Sequence, residues 1–174
     1  MSAALALAAL ALTLAGVILW RSASRRDAAL GLPGGRIVAA DGREEPGPTL
    51  SARTIRLRGR PDLLVRAGRW IIPIELKTGR APARPHRGHT LQLLAYCLLI
   101  EETSGVRPPY GLLRYPGREF RIPYDGEAER TVREVVAAIG ATKAARDETH
   151  RSHEQPGRCA ACGFRARCPE SLAR

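Results

Sequence analysis

Two acidic residues and a lysine are the side chains whose types and spacing best suit catalysis. Asp62 is followed after twelve intervening residues by Glu75, and Lys77 comes two residues later. Mg²⁺ binds oxygen ligands, commonly one or two carboxylates with waters and substrate phosphate. Of the 28 basic residues only Lys77 and Lys143 are lysines, and a lysine pKa shifts readily whereas arginine stays charged. We expect a divalent metal site that polarises a phosphodiester, with Lys77 holding or deprotonating the attacking water.

A β-hairpin is expected to bring the two acids together. Two apolar runs, Leu63–Val65 and Trp70–Ile74, flank Ala67-Gly68, and this pattern is typical of two strands joined by a tight turn. With the turn centred on Ala67-Gly68, Asp62 would pair with Pro73 and lean toward the second acid. The sequence therefore predicts two carboxylates on adjacent strands.

The lysine should lie on the same face of the sheet as the acids. Side chains alternate between the two faces of a strand, so Glu75 and Lys77 share one face. The other face carries apolar side chains, those of Ile72, Ile74 and Leu76. Burying ionisable groups here is costly unless they pair or hold a metal. This favours a metal site, with the Leu76 carbonyl as a further ligand; a surface hairpin with an incidental ion pair is the alternative.

These residues resemble the signature of the PD-(D/E)XK nuclease superfamily. Gly-Arg-Pro-Asp62 and, after twelve residues, Glu75-Leu-Lys77 carry the resemblance. Downstream, Gln92 and Tyr96 form a Gln-x3-Tyr pair that is similar to the RecB-like branch, most closely to the CRISPR-associated four-cysteine exonucleases. The resemblance covers roughly residues 59–168.

The resemblance implies a fold, a metal cofactor and a substrate. The fold is α/β, a restriction-endonuclease-like core in which helices flank a mixed sheet. The metal is Mg²⁺ or Mn²⁺, held by Asp62, Glu75 and the Leu76 carbonyl, and the substrate is DNA, either single strands or ends. Gln92 and Tyr96 would position the acids or the substrate; a plain helix–sheet hydrogen bond is the alternative role for this pair.

The rest of the chain has patterns of strands and helices that surround this hairpin. A largely buried helix is predicted at His89–Thr103 and a charged amphipathic helix at Gly126–Thr149. Further strands are predicted at Arg36–Ala40, Arg53–Arg58, Tyr110–Tyr115 and Glu119–Tyr124. By resemblance, the third of these strands extends the sheet beside the hairpin that carries the acids.

The composition favours a nucleic-acid partner. A chain of 174 residues with a net charge of +11 suits a polyanion, although compositional bias toward arginine would produce the same charge. The basic loop Arg80–Arg87 is expected to contact phosphates near the metal. Aromatic residues make up only 5% of the chain, which excludes an extended base-stacking platform.

The N-terminal region is predicted to be a membrane anchor. Residues 3–20 are uncharged and apolar, and as a helix they span about 27 Å, enough for a bilayer core. Arg21, Arg25 and Arg26 follow at once, so the positive-inside rule predicts a single pass through a bacterial-type inner membrane with the rest of the chain cytoplasmic. A cleaved signal peptide or an interfacial helix is the alternative. The predicted regions are an anchor (1–20), a basic tether (21–51), a nuclease-like core (52–149) and a cysteine-rich tail (150–174).

The tail carries a candidate metal site of its own. Cys159, Cys162 and Cys168 follow the spacing Cys-x2-Cys-x5-Cys, which in a cytoplasmic chain indicates metal binding rather than disulfides. By resemblance they would bind a four-iron four-sulfur cluster, with Zn²⁺ as the competitor. The relatives take a fourth cysteine from an N-terminal helix, and this chain has none there. Cys97, His150 or His153 could supply the fourth ligand, or a labile cluster could form on the three cysteines alone; a metal-free tail is the remaining alternative.

Two functions of different class follow from these observations. The first is a membrane-anchored, divalent-metal-dependent DNA nuclease that hydrolyses phosphodiester bonds, a single-strand or end-acting exonuclease. The second is a catalytically inactive nuclease-fold protein that binds nucleic acid or serves as a scaffold at the membrane. The short N-terminal region supports the second, whereas the complete set of site residues supports the first.

Overall fold

The computed structural model describes residues 35–42, 47–145 and 150–173. Two compact units divide between Val132 and Arg133. The predicted membrane anchor at residues 3–20 lies outside the described residues. Among the helices that are described, none is long and apolar enough to cross a membrane.

The first unit is built on β-strands with one long helix inserted among them. The strands are β1 Arg36–Ala40, β2 Leu50–Ala52, β3 Leu57–Gly59, β4 Leu63–Ala67, β5 Trp70–Leu76, β6 Tyr110–Tyr115 and β7 Arg118–Pro123. The helices of the described chain are α1 Arg87–Ser104, α2 Gly126–Ala145 and α3 Pro156–Ala160, with a 3₁₀ turn at Arg165–Arg167. The predicted helices and the second hairpin are confirmed within one to three residues at the ends that the structure describes.

Five strands form one mixed sheet in the order β1-β4-β5-β6-β7. β5 and β6 run parallel, and the other neighbours are antiparallel. A parallel pair needs a crossover connection, and α1 supplies it here. The predicted mixed α/β architecture is therefore confirmed, as is the position of β6 beside the hairpin.

The turn between β4 and β5 lies one residue later than predicted. Gly68 has φ +60°, a conformation that favours glycine, and Ala67 pairs with Trp70 across the turn. Leu64 therefore lies opposite Pro73, and the predicted pairing of Asp62 with Pro73 is wrong by two residues. A shift of two residues keeps every side chain on its face, so the face assignment stands.

The predicted strand at Arg53–Arg58 is also wrong. Residues 53–56 form a turn between β2 and β3, in which the Arg56 amide donates to the Arg53 carbonyl at 3.2 Å. Arg56 has φ +52°, which is incompatible with a strand. The alternation of apolar and polar residues that suggested one strand spans the turn of a small hairpin.

Apolar side chains cover both faces of the main sheet. On one face, Leu113 and Tyr115 of β6 pack with Leu93 of α1. The other face has a core of its own, formed by Val65, Ile72, Ile74 and Leu112. The face that carries α1 is also the face of Glu75 and Lys77, so the helix lies over the predicted site.

The β2–β3 hairpin packs against the same helix. Ala52 of β2 contacts Tyr96 and Leu99 of α1, and Leu57 of β3 joins this cluster. Gly59 approaches so closely that a Cβ atom there would lie 2.7 Å from Cε1 of Tyr96. The Tyr96 ring is thereby confined between the hairpin and the helix.

Candidate active site

The two predicted acids lie at the same end of two adjacent strands. Asp62 directly precedes β4, and Glu75 is the next-to-last residue of β5. Continuing the β4–β5 register by one residue places them opposite each other. The Asp62 carboxylate accepts a hydrogen bond from the Leu76 amide at 2.6 Å, which fixes its position beside Glu75.

Glu75 is the buried member of the pair, with 5% of its surface exposed. Its Oε1 accepts hydrogen bonds from Lys77 Nζ and from Gln92 Nε2, each at 2.8 Å. Its Oε2 is buried and has no hydrogen-bond partner among the described residues. A buried carboxylate oxygen without a partner is costly, so this atom is suited to bind a cation.

The electrostatic environment of Glu75 also favours a bound cation. Burial raises the pKa of its carboxyl, and the neighbouring Asp62 carboxylate raises it further, while the hydrogen bond from Lys77 opposes the shift. Two carboxylates this close repel each other when both are ionised. A divalent cation would remove that repulsion and satisfy Oε2.

Gln92 connects the helix to the sheet at this point. Its Nε2 donates to Glu75, as above, and also to the Tyr96 hydroxyl at 2.9 Å, and its Oε1 accepts from Lys77 Nζ at 3.0 Å. The two roles considered for the Gln-x3-Tyr pair therefore coincide, because the helix–sheet hydrogen bonds are made to the acid and the lysine themselves. Burial raises the pKa of Tyr96, which keeps its hydroxyl protonated.

The donor set suits a hard cation with few protein ligands. No group of three or more His, Cys, Asp or Glu side chains in the described part of the chain is placed to hold a metal ion. Asp62 and Glu75 are two carboxylates, and Mg²⁺ is commonly bound by one or two with waters completing its shell. The two carboxylates present therefore fit Mg²⁺ or Mn²⁺.

A second polar pair adjoins this network and was missed in the sequence. His89 Nδ1 lies 2.6 Å from the Tyr115 hydroxyl. His89 precedes Gln92 by three residues and Tyr96 by seven, so all three lie on one side of α1. That spacing was the available signal; His89 was predicted as the first residue of the helix, which in fact begins two residues earlier, at Arg87.

The basic loop before α1 is anchored to the sheet. Arg118 of β7 donates to the Pro82 carbonyl at 3.2 Å. Arg80, Arg84 and Arg87 are exposed, which leaves their guanidinium groups accessible to an anionic partner. The loop leads directly into the helix that carries Gln92.

The tail cysteines are arranged differently from the acids. Cys159 is buried and accepts a hydrogen bond from the Leu172 amide at 3.4 Å, Cys162 is exposed and Cys168 is half-buried. They do not form a metal-holding group, alone or with a histidine, among the described residues. The predicted iron–sulfur or zinc centre on these cysteines is therefore not supported.

The candidate fourth ligands have other partners. His150 Nδ1 lies 2.7 Å from a Glu170 oxygen, and His153 Nδ1 accepts from the Gln155 amide at 3.2 Å. Cys97 is fully buried in α1, and burial raises the pKa of its thiol far above the usual range. Its surroundings therefore suit a buried thiol rather than a metal ligand, since a metal ligand must be a thiolate.

Comparison with known proteins agrees with the geometry. The family model described as PD-(D/E)XK nuclease superfamily matches residues 3–169, so the chain belongs to this superfamily, a class of phosphodiester hydrolases. No curated protein matched significantly. Among solved structures, one titled "Crystal structure of SSO0001" is similar, with 20% sequence identity, a TM-score of 0.47, and coverage of 92% of this chain and 71% of that chain. A likeness of this size carries no argument about function.

Proposed function

We propose that this protein is a divalent-metal-dependent deoxyribonuclease that hydrolyses phosphodiester bonds. One observation carries the proposal: Glu75 Oε2 is buried with no hydrogen-bond partner in the described part of the chain, beside Asp62 and within the network that holds Lys77. An unmet carboxylate oxygen next to a second carboxylate is the arrangement that a hard cation stabilises. Membership of the nuclease superfamily supports phosphodiester hydrolysis as the reaction at this cation site.

The proposed metal ligands are Asp62, Glu75 and the Leu76 carbonyl. When bound, Mg²⁺ or Mn²⁺ would polarise the scissile phosphate and lower the pKa of a bound water. The chain holds the ligands in advance, because the Leu76 amide fixes Asp62 and the Gln92 amide fixes Glu75. Little reorganisation is then needed for binding, which favours catalysis.

Lys77 is the proposed contact to the attacking water or to a phosphate oxygen. Its side chain keeps 20% of its surface exposed, and its ammonium group is held by Glu75 Oε1 and Gln92 Oε1. Two such acceptors leave one of its three N–H donors for the substrate. Gln92 is proposed to position both the acid and the amine, and Tyr96 to hold the Gln92 amide in that orientation.

DNA is the proposed substrate, acted on as single strands or ends. The net charge of +11 and the exposed arginines of the loop at 80–87 support a nucleic acid. The preference for DNA, for ends and for single strands depends on the resemblance of the Gln-x3-Tyr pair to RecB-like exonucleases. Attachment to a membrane through residues 3–20 is a separate proposal that depends on sequence alone.

A cleavage assay with matched variants tests the proposal. With Mg²⁺ or Mn²⁺ we expect wild-type protein to degrade labelled DNA, and Asp62→Ala and Lys77→Ala to lose activity by about 10²-fold or more. Lys143→Ala is the control, since Lys143 is the only other lysine and is exposed on α2. Correctly folded wild-type protein that binds DNA without cutting it would instead support the inactive binding protein.

The choice of substrate separates an exonuclease from other nucleases. We expect linear single-stranded DNA to be degraded, whereas a circular single strand of the same sequence should be resistant. RNA of the same sequence measures the preference for DNA. If the circle were cleaved at a comparable rate, the protein would still be a metal-dependent nuclease, but it would not require a DNA end.

A further inference from the structure

The pair of His89 and Tyr115 lies outside the superfamily signature but beside the residues that carry it. Tyr115 is the last residue of β6 and is 5% exposed. In the parallel register Glu75 is level with Leu113 and Leu76 with Arg114. The Lys77 amide donates to the Arg114 carbonyl at 2.8 Å, so the pairing continues to the level of Lys77 and Tyr115.

Sheet alternation then places Tyr115 and the active-site lysine on one face. Leu113 and Tyr115 both pack with Leu93 of α1, and Gln92 of the same helix bonds Lys77. His89, one helical turn before Gln92, reaches down to the Tyr115 hydroxyl at 2.6 Å. The polar side chains between α1 and the sheet therefore include His89 as well as the signature residues Lys77 and Gln92.

The histidine is held in place and remains accessible. Tyr115 packs edge-on against Phe120, with ring centroids 5.9 Å apart, and the His86 ring lies edge-on to His89 at 5.3 Å. His89 itself is only partly covered. Burial lowers the pKa of His89, and the Lys77 ammonium and His86 lower it further, so the ring is neutral near pH 7.

A neutral imidazole has one N–H donor, and its partner decides which nitrogen carries the hydrogen. If the Tyr115 hydroxyl donates to Nδ1, the hydrogen resides on Nε2. The ring then presents a single uncharged donor next to a lysine ammonium and a basic loop. Hydrogen bonds from such donors to phosphate oxygens are charge-assisted and strong.

We propose that His89 is a substrate-binding residue, whose Nε2–H donates to a non-bridging oxygen of one backbone phosphate adjacent to the scissile bond, and that Tyr115 is the positioning residue that fixes its tautomer. The proposal depends on the proposed nuclease function, because the ligand is the phosphate of a nucleic-acid strand. It assigns this pair a role in placing the strand, separate from metal binding and from the attack on phosphorus.

Binding to single-stranded DNA with one uncharged linkage tests this contact. The probe is a short fluorescent oligonucleotide that carries one methylphosphonate, moved position by position, with Ca²⁺ replacing Mg²⁺ so that the strand stays intact. For wild-type protein we expect one position at which the methylphosphonate weakens binding about tenfold. His89→Ala should bind unmodified DNA about tenfold more weakly and lose nothing further at that position.

Two other variants separate this contact from a structural role. Tyr115→Phe keeps the apolar packing and removes only the hydroxyl, and it should reduce the position-specific loss. His150→Ala, at an exposed histidine of the tail, is the matched control and should retain the wild-type pattern. If His89 had only a structural role, His89→Ala would bind every oligonucleotide more weakly and would still show the wild-type loss at the sensitive methylphosphonate position.

A spectroscopic measurement on the wild type does not depend on whether a variant folds. Side-chain ¹⁵N NMR should show His89 as the neutral tautomer with hydrogen on Nε2. An Nδ1–H tautomer, or the same losses for wild type and His89→Ala at every position, would overturn the proposal and leave the nuclease function intact. Wild-type protein that binds no DNA would overturn both.

Discussion

The sheet site and the cysteine tail both contain potential metal ligands, and among the described residues the sheet site brings them together whereas the tail does not. Asp62 and Glu75 lie on neighbouring strands and are each fixed by a hydrogen bond from another residue of the site. The three tail cysteines are separately buried, exposed and half-buried. Regular spacing is therefore accompanied by converging side chains at the sheet, whereas the tail cysteines form no group of three or more metal ligands in the described part of the chain.

The difference lies in the kind of contact that holds each region. The acids are placed by strand pairing and by a helix that crosses over the sheet, both of which join residues distant in sequence. The tail is a series of tight turns, such as the Cys162 amide donating to the Cys159 carbonyl at 3.1 Å. Its ends are joined through Glu170, which accepts from the Arg151 amide at 2.6 Å. These contacts close the tail without turning the sulfurs toward one point.

The largest expected effect is at the buried acid. Glu75→Gln keeps the shape of the side chain and removes its charge, so cleavage should fall by about 10³-fold or more. Mn²⁺ should raise the melting temperature of the wild type, because it binds only the folded state, and should not raise that of the variant. Glu119→Gln, an exposed carboxylate of β7 paired with Arg114, is the control. Metal-dependent stabilisation that survives in Glu75→Gln would show that the ion binds elsewhere.

The next effect tests how tightly the surroundings confine the site. In Gly59→Ala the new methyl would lie 2.7 Å from Tyr96 Cε1, and the buried ring cannot move without disturbing its bond to Gln92. We expect destabilisation of about 1–3 kcal/mol in urea unfolding, with activity reduced about tenfold. Gly88→Ala, where no atom lies within 4 Å of the added carbon, should match the wild type. A fully active and stable Gly59→Ala would mean that the ring position is not critical.

A smaller effect is the cost of the uncompensated acid in metal-free protein. The pKa of Glu75 is raised from 4.5 by burial, so the folded state holds this proton more tightly than the unfolded chain. Stability should therefore fall as the pH rises from 4.5 through the raised pKa, and become constant above it. Glu75→Gln should lack this decline and melt at a higher temperature than wild type in EDTA near pH 7. If the melting temperatures of the two proteins changed with pH in the same way across this range, the prediction would be contradicted.

The smallest effect is expected in the tail. Cys162→Ser with Cys168→Ser removes two of the three thiols and leaves the buried Cys159 and its contact with Leu172 in place. We expect turnover within about twofold of wild type and stability within about 0.5 kcal/mol. Elemental analysis of anaerobically purified protein should accompany the assay. Iron or zinc bound in the wild type, and lost together with activity in the variant, would reverse the comparison between the two regions.

Much of the first unit could be predicted because its signals are local. Apolar runs, glycine turns and helical spacing located both hairpins of the main sheet and α1. The errors arose at turns, where the conformation of one residue changes the strand pairing. The turn at Gly68 shifted the register of β4 and β5 by two residues, and the left-handed conformation of Arg56 divided a predicted strand in two. The cysteine spacing constrains only separation along the chain, whereas a metal site requires convergence of the sulfurs, so the iron–sulfur or zinc centre stays a prediction.

By itself the sequence determined the residue types of the site, the shared strand face of Glu75 and Lys77, and the superfamily signature, since alternation and spacing are properties of the chain. Tertiary structure alone decided that Glu75 Oε2 is buried with no partner among residues 35–42, 47–145 and 150–173, and that Gln92 bonds both the acid and the lysine. It also decided that His89 meets Tyr115. Each of these depends on where α1 lies on the sheet, and that position is set by packing between residues far apart in sequence.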